Sequence, residues 1–172
     1  MSIWTTIRDA MSARKKSVAA GATAAVLTAT AAFVGPWEGK ENVAYLDRIA
    51  QPPVWTVCYG ETRGVQQGDA YSDAECAAML ADALKDYRAA LIGCIPALPD
   101  QPTGVQVALT SWAYNVGTGA ACDSTLARRA NANDWRAACD QLLRWTRAGG
   151  RVVQGLVNRR EAEHALCVGA LE

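Results

Sequence analysis

A run without any charged side chain, Ser17 to Gly35, limits what the N-terminus of this chain can become. Arg14, Lys15 and Lys16 come directly before it, an order typical of segments that enter a membrane with their basic end on the cytosolic side. A helix of this length comes close to the roughly 30 Å thickness of the hydrocarbon core. The segment therefore predicts contact with a membrane and export of the residues that follow.

This segment is nevertheless rich in Ala, Gly and Thr, so its insertion into a bilayer is expected to be weak. Three interpretations are open: a cleaved signal peptide with a site near Thr30 or Ala32, a buried or amphipathic helix of a soluble protein, and an uncleaved anchor. We favour the anchor over residues 17–35, after a short cytosolic tail over residues 1–16. The remaining residues 36–172 are enough for one domain.

Charge and cysteine content narrow the class of function. The formal net charge is zero, which gives no reason to expect a nucleic-acid partner. The six cysteines are widely spaced, without a Cys-x-x-Cys pair, and the chain has one histidine, so we expect no metal and no cofactor. Buried free thiols and disulfides both fit the cysteines, and the export segment favours disulfides, whose pairing the sequence leaves open.

Turn and capping signals predict an α+β fold that is mostly helical, with a small strand-containing lobe near the N-terminus. A short helix is expected over residues 37–45, then a strand over residues 54–60 that is half of a hairpin continuing toward Val65. Ser72 and Glu75 have the spacing of a capping box before a long helix. Further helices are expected over residues 103–115, 125–132 after Ser124, 135–146 after Asn133 or Asp134, and 156–167.

Glu38 and Asp47 are a candidate pair for glycoside hydrolysis, which needs an acid for the leaving oxygen and a second group to direct a nucleophile. Thr56 lies on the following predicted strand, where its hydroxyl can help to hold a water molecule. Spacing alone is weak support, because a solvated helix face followed by a turn aspartate gives the same pattern.

The surrounding residues add a longer pattern. The runs WEGKENVAYLDRI and VWTVCYGET resemble the phage lysozymes and endolysins of glycoside hydrolase family 24, whose motif is E-G-x-x-x-x-x-Y-x-D followed by a W/Y-T-x-G-x-G-x-T strand. The matching positions are Glu38, Gly39, Tyr45, Asp47, Thr56 and Gly60. The resemblance continues through SWAYNVGTGA and GLVNRREAEHALC, so it covers nearly all of residues 36–167.

This resemblance implies a lysozyme-like fold with a small β-hairpin lobe and a helical lobe, preceded by an N-terminal hydrophobic helix. It implies hydrolysis of the β-1,4 bond between N-acetylmuramic acid and N-acetylglucosamine in peptidoglycan. By the same resemblance Glu38 is the general acid, while Asp47 and Thr56 position the hydrolytic water or stabilise the developing cation.

Some members of this family carry a signal-arrest-release segment, a weakly hydrophobic helix that exports and tethers the enzyme, and residues 17–35 resemble one. The resemblance then implies a periplasmic enzyme of a Gram-negative host, held at the inner membrane until a holin or pinholin depolarises it. Glu38 follows Gly35 closely, so release is also expected to rebuild the active site. Host cell lysis would follow.

Trp112, Asn115 and Arg159 are weaker candidates for substrate binding. Trp112 is either a cleft wall or a core residue, and Asn115 is placed to bond an acetamido group. Arg159 or its neighbour Arg160 either pairs with Glu38, as the similar segment does in the family, or pairs with Glu163 on the helix surface.

The chain departs from the family at two places. An insertion around residues 50–53 lengthens the loop before Thr56. Glu61 stands where many relatives have His, so an ion pair made by that His is absent or altered here.

Three rival functions are a lytic transglycosylase, a catalytically inactive membrane-tethered peptidoglycan-binding protein, and a pore-forming holin. Asp47 and Thr56 beside Glu38 favour hydrolysis over the first two, and one marginal segment before a large domain fits a holin poorly.

Overall fold

The computed structural model describes residues 21 and 23–172. The predicted cytosolic tail over residues 1–16 and the start of the uncharged segment lie outside the described residues. Residues 23–34 form a helix, α1, which leads into a 3₁₀ turn at Gly35–Trp37. Of the helices in the described part of the chain, none is long and apolar enough to cross a membrane.

The small lobe is an antiparallel hairpin of β1 (Glu41–Asp47) and β2 (Val54–Cys58). The predicted helix over residues 37–45 is wrong. The predicted pairing of β2 with a later segment toward Val65 is also wrong, because β2 pairs with β1, the strand before it. The 3₁₀ turn ends at Trp37, and Glu38 is already extended, with φ −93° and ψ 135°. Burial then alternates along β1, which is the period of a strand with one solvated face.

The helix α2 (Asp73–Cys94) connects the small lobe to the helical lobe. Its capping box is formed as predicted: the Glu75 amide donates to the Ser72 hydroxyl at 3.3 Å, and the Ser72 amide donates to Glu75 Oε2 at 2.7 Å. Both first-turn amides are thereby satisfied, so the start of α2 is fixed by local chemistry.

The helical lobe is built around α3 (Thr103–Val116), in which every residue from Val105 to Ala113 is buried. Around it lie α4 (Thr118–Cys122), α5 (Thr125–Asn131), α6 (Trp135–Asp140) and α7 (Gln154–Gly169). A short hairpin of β3 (Arg147–Ala148) and β4 (Arg151–Val152) precedes α7. The helices predicted here are confirmed, although α6 ends early in a 3₁₀ turn, while α4 and the β3–β4 hairpin were not predicted.

All six cysteines are paired, which confirms the disulfide interpretation over free thiols. The pairs are Cys58–Cys76, Cys94–Cys122 and Cys139–Cys167. Each joins two different elements, namely β2 with α2, α2 with α4, and α6 with α7. Disulfides of this number are typical of proteins that fold in an oxidising compartment.

Gly104 allows the start of α3 to approach α7 closely. A Cβ atom at this position would lie 2.7 Å from Ala170 Cβ and 2.8 Å from the Leu166 carbonyl oxygen. Because a backbone carbonyl cannot move aside cheaply, we expect Gly104→Ala to lower the free energy of unfolding by about 1–3 kcal/mol. Thermal unfolding followed by circular dichroism measures this loss. Gly93→Ala is the control, since a Cβ there meets open space and Ala favours the helix; equal melting temperatures would contradict the prediction.

Candidate active site

Glu38 lies between the 3₁₀ turn and β1, and the last helix of the chain reaches it. Arg159 of α7 donates from Nη1 to Glu38 Oε1 at 2.6 Å across 121 residues of sequence. The Arg159 side chain is 4% exposed and that of Glu38 is 23% exposed. The carboxylate is therefore anchored from inside the protein and faces solvent on its other side.

Arg159 is itself held by a buried ionic cluster on α7. Its Nε donates to Glu163 Oε1 at 3.2 Å, and Arg160 Nε lies 2.8 Å from Glu163 Oε2. The Ser111 hydroxyl of α3 donates to the same carboxylate at 2.6 Å. Burial lowers the pKa of Arg160 to about 10, so this guanidinium is still charged at neutral pH. Both pairings considered for Arg159, with Glu38 and with Glu163, are thus present together.

A cleft of about 470 Å³ opens beside Glu38. The segment after β2, residues 59–63, lines it together with one face of α2 and with Tyr114 and Asn115 at the end of α3. The Tyr114 hydroxyl donates to the Tyr59 carbonyl at 2.7 Å, and the ring packs edge-on against Tyr87 at 5.1 Å. Burial raises the pKa of Tyr114, so its hydroxyl stays protonated at neutral pH and donates this hydrogen bond. The bond holds the tyrosine ring in place at the bottom of the cleft.

Ion pairs of Arg63 with Glu61 and Asp86 link the small lobe to α2 across this cleft. Arg63 donates from Nε and Nη2 to the two oxygens of Glu61 at 3.1 and 2.9 Å, and from Nη1 to Asp86 Oδ2 at 3.3 Å. The backbone amides of Thr62 and Arg63 also donate to Glu61, at 2.9 and 2.8 Å. The hydrogen bond from Arg63 lowers the pKa of Glu61, which stays ionised. The ion pair expected to be absent or altered at Glu61 is therefore an altered one, with Arg63 as the cation.

Asp47 and Thr56 lie together on the β1–β2 hairpin. Tyr45 is directly opposite Thr56 and Asp47 is opposite Val54, so Asp47 and Thr56 project from the same face. Asp47 Oδ1 accepts from the amides of Ile49 and Ala50 in the following loop, at 2.8 and 3.3 Å, and Thr56 is buried. Neither residue lines the cleft beside Glu38. The hairpin thus brings two of the three predicted catalytic residues together, and α7 anchors the third.

The prediction that Trp112 contacts sugars is wrong. Its side chain is fully buried at the centre of α3 and packs edge-on against Trp145 at 5.3 Å. Asn115 lines the cleft, and its hydrogen bond to an acetamido group stays a prediction. Arg63 and Asp86 were missed as cleft residues, because they are 23 positions apart and no local motif links them.

The sequence is similar to known phage proteins over most of its length. The family model described as Phage lysozyme matches residues 35–163. The SAR-endolysin of Enterobacteria phage P21 is 39% identical over 160 residues, which cover 91% of this chain and 96% of that protein. The SAR-endolysin of Escherichia phage Mu is 40% identical over 128 residues, 73% of this chain and 72% of that protein.

Solved structures show the same fold. The active form of the P1 phage endolysin Lyz matches with a TM-score of 0.71 and 24% identity, covering 90% of this chain and 95% of that chain. The muramidase domain of SpmX from Asticaccaulis excentricus matches with a TM-score of 0.71 and 23% identity, covering 81% and 95%. The predicted mostly helical, lysozyme-like architecture with a small two-stranded sheet is confirmed.

Proposed function

The chain belongs to the phage lysozyme family and is a peptidoglycan-lysing muramidase, and we propose that it hydrolyses the β-1,4 bond between N-acetylmuramic acid and N-acetylglucosamine to lyse its host. The contact that carries this proposal is the ion pair of Glu38 with the buried Arg159 at the cleft. It fixes one carboxyl group in a place where a glycan can reach it.

Glu38 serves as the general acid that protonates the leaving glycosidic oxygen. Arg159 occupies Oε1, and within the described part of the chain no hydrogen bond holds the other oxygen, Oε2. That oxygen is free to meet the substrate. Because Glu163 and Ser111 lock Arg159, the Glu38 carboxyl is oriented before the glycan binds, which lowers the entropic cost of reaching the reactive geometry.

Asp47 and Thr56 act from the hairpin side. They project from one face of the hairpin and are separated by one diagonal step of the ladder, which supports a shared role in holding one water molecule. In this role they direct the water at the anomeric carbon or stabilise the positive charge that develops there.

Clearing of outer-membrane-permeabilised Gram-negative cells by the full-length protein, released in detergent, tests the proposed reaction. We expect turbidity to fall and the soluble products to carry new reducing ends at N-acetylmuramic acid, since water is the nucleophile. Mass spectrometry of the released muropeptides reads the ends directly. Anhydro-sugar ends would instead identify a lytic transglycosylase, and binding of sacculi without any cleavage would identify an inactive wall-binding protein.

We further propose that residues 17–35 are a signal-arrest-release segment, which exports the chain to the periplasm of a Gram-negative host and tethers it to the inner membrane. The similar proteins of phages P21 and Mu are named SAR-endolysins. The low content of large apolar residues favours escape when a holin or pinholin depolarises the membrane. Three disulfides fit a chain that folds in the periplasm.

The contacts of α1 support a coupling between release and activity. Val26, Thr30 and Val34 are buried along one stripe of the helix, and Val34 packs with Leu80 and Leu84 of α2. The Thr30 hydroxyl donates to the Val26 carbonyl at 2.7 Å, so this polar group is satisfied inside the contact. A segment that leaves the bilayer can therefore pack its buried stripe on the apolar surface of α2. Because Glu38 follows Val34 by four residues, this packing sets the position of Glu38.

A further inference from the structure

The cleft extends from Glu38 to a charged end that the proposed chemistry does not use. Building on the proposed cleavage of peptidoglycan, we propose that Arg63 and Asp86 form a subsite for the stem peptide. There Arg63 binds the carboxylate, and Asp86 binds the ammonium group, at the end of a diamino-acid side chain. Arg63 would then be a specificity-determining residue for the wall substrate.

Arg63 is prepared to receive a carboxylate. Its guanidinium is held by three hydrogen bonds to Glu61 and Asp86, yet its side chain is 65% exposed. Those three bonds use three of the five guanidinium N–H groups and leave one on Nη1 and one on Nη2, whose directions are fixed by the planar group. A rigid, exposed fork of this kind is suited to a carboxylate ligand.

Asp86 supplies the opposite charge beside it. Its side chain is 66% exposed, and one of its oxygens, Oδ2, is the atom bonded to Arg63. The charged residues that line the cleft in the described part of the chain are three carboxylates, Glu38, Glu61 and Asp86, and one guanidinium. This net negative charge disfavours a simple anion, while the exposed Arg63 disfavours a simple cation. A group that carries both charges on one carbon satisfies both residues.

The floor of the cleft fits the rest of such a side chain. Met79, Ala83, Asp86 and Tyr87 follow one another at helical spacing on a single face of α2, and all line the cleft. Methylene groups can lie along Met79 and Ala83 with the charged end at Asp86. Since N-acetylmuramic acid carries the stem peptide, a sugar cut at Glu38 brings that peptide into the same cleft.

The test compares two substrates with one protein, the full-length chain released in detergent. Intact sacculi carry stem peptides, and amidase-treated glycan strands lack them. We expect Arg63→Gln to lower kcat/KM about tenfold more on intact sacculi than on stripped strands, through KM. Arg48→Gln is the matched control, because Arg48 is exposed in the β1–β2 loop and does not line the cleft.

Direct binding separates this subsite from the proposed hydrolysis. The tripeptide Ala-γ-Glu-diaminopimelate, followed by NMR, should bind the wild-type chain and lose binding to Arg63→Gln and to Asp86→Asn. Binding of the tripeptide by a protein that cleaves no glycan would support the subsite and refute the hydrolysis. Equal loss of rate on both substrates would overturn the proposal and make Arg63 a structural link between the lobes. A wild-type chain that does not bind the tripeptide would also overturn it.

Discussion

Replacing Glu38 with Gln should reduce wall clearing by the full-length protein by about 10²–10⁴-fold, the usual contribution of a positioned general acid. The amide has the size of the carboxyl group and its oxygen still accepts the bond from Arg159. What it loses is the proton that the leaving oxygen requires. Initial rates of turbidity loss with permeabilised cells measure the effect, and the melting temperature checks that the variant is folded.

Glu41→Gln is the matched control for this experiment. Glu41 begins β1, is exposed and lies three residues further along the chain, so the same chemical change should leave clearing intact. Clearing that survives in Glu38→Gln would show that Glu38 is not the acid. A different carboxyl group would then have to supply the proton.

Local signals in the sequence predicted those parts of the fold that local chemistry decides. Ser72 and Ser124 cap α2 and α5 because a side-chain oxygen meets a backbone amide three residues later, a relation contained within one turn. The same signals failed over residues 37–45. There the chain becomes β1 because a partner strand lies beside it, and the ladder to β2 is a non-local interaction that no short window contains.

The candidate site shows the same division. Glu38 was found through its neighbours in sequence, but its contact with Arg159 spans 121 residues and was only one of two alternatives. Trp112 was left open between a cleft wall and a core residue, because helical periodicity does not distinguish a cleft wall from a helix that is buried on every side. Arg63 and Asp86 meet only after the loop following β2 packs on α2, so their pairing is a property of the fold.

The second large effect concerns the membrane segment. We expect Gly21→Leu, Ala25→Leu and Ala29→Leu together to trap the protein in the inner membrane and to block lysis of the culture. Each Leu adds about 0.5 kcal/mol of insertion free energy near a helix centre, and the additions sum along a segment that is otherwise weakly apolar. The wild-type segment gains little free energy on insertion, and its escape from the bilayer depends on this weak insertion.

The position of these residues makes the experiment selective. They follow at intervals of four, and Gly21 and Ala25 are exposed while Ala29 is half-buried, so their stripe lies beside the buried one that packs on α2. A Cβ at Gly21 meets no atom of the described residues within 4 Å. The larger side chains should therefore strengthen insertion into the bilayer without removing the contacts that α1 makes after release.

The same three positions changed to Ser provide the control, since Ser keeps the segment weakly apolar and should allow normal lysis. Culture turbidity after induction and the distribution of protein between membrane and soluble fractions are measured for both variants. Full lysis by the Leu variant would contradict escape from the membrane. Extraction of that variant into detergent should restore wall clearing, because α1 is then free to dock on α2. Loss of lysis in the cell with activity in detergent is a combination that damage to the fold does not produce, whereas retention in the bilayer does.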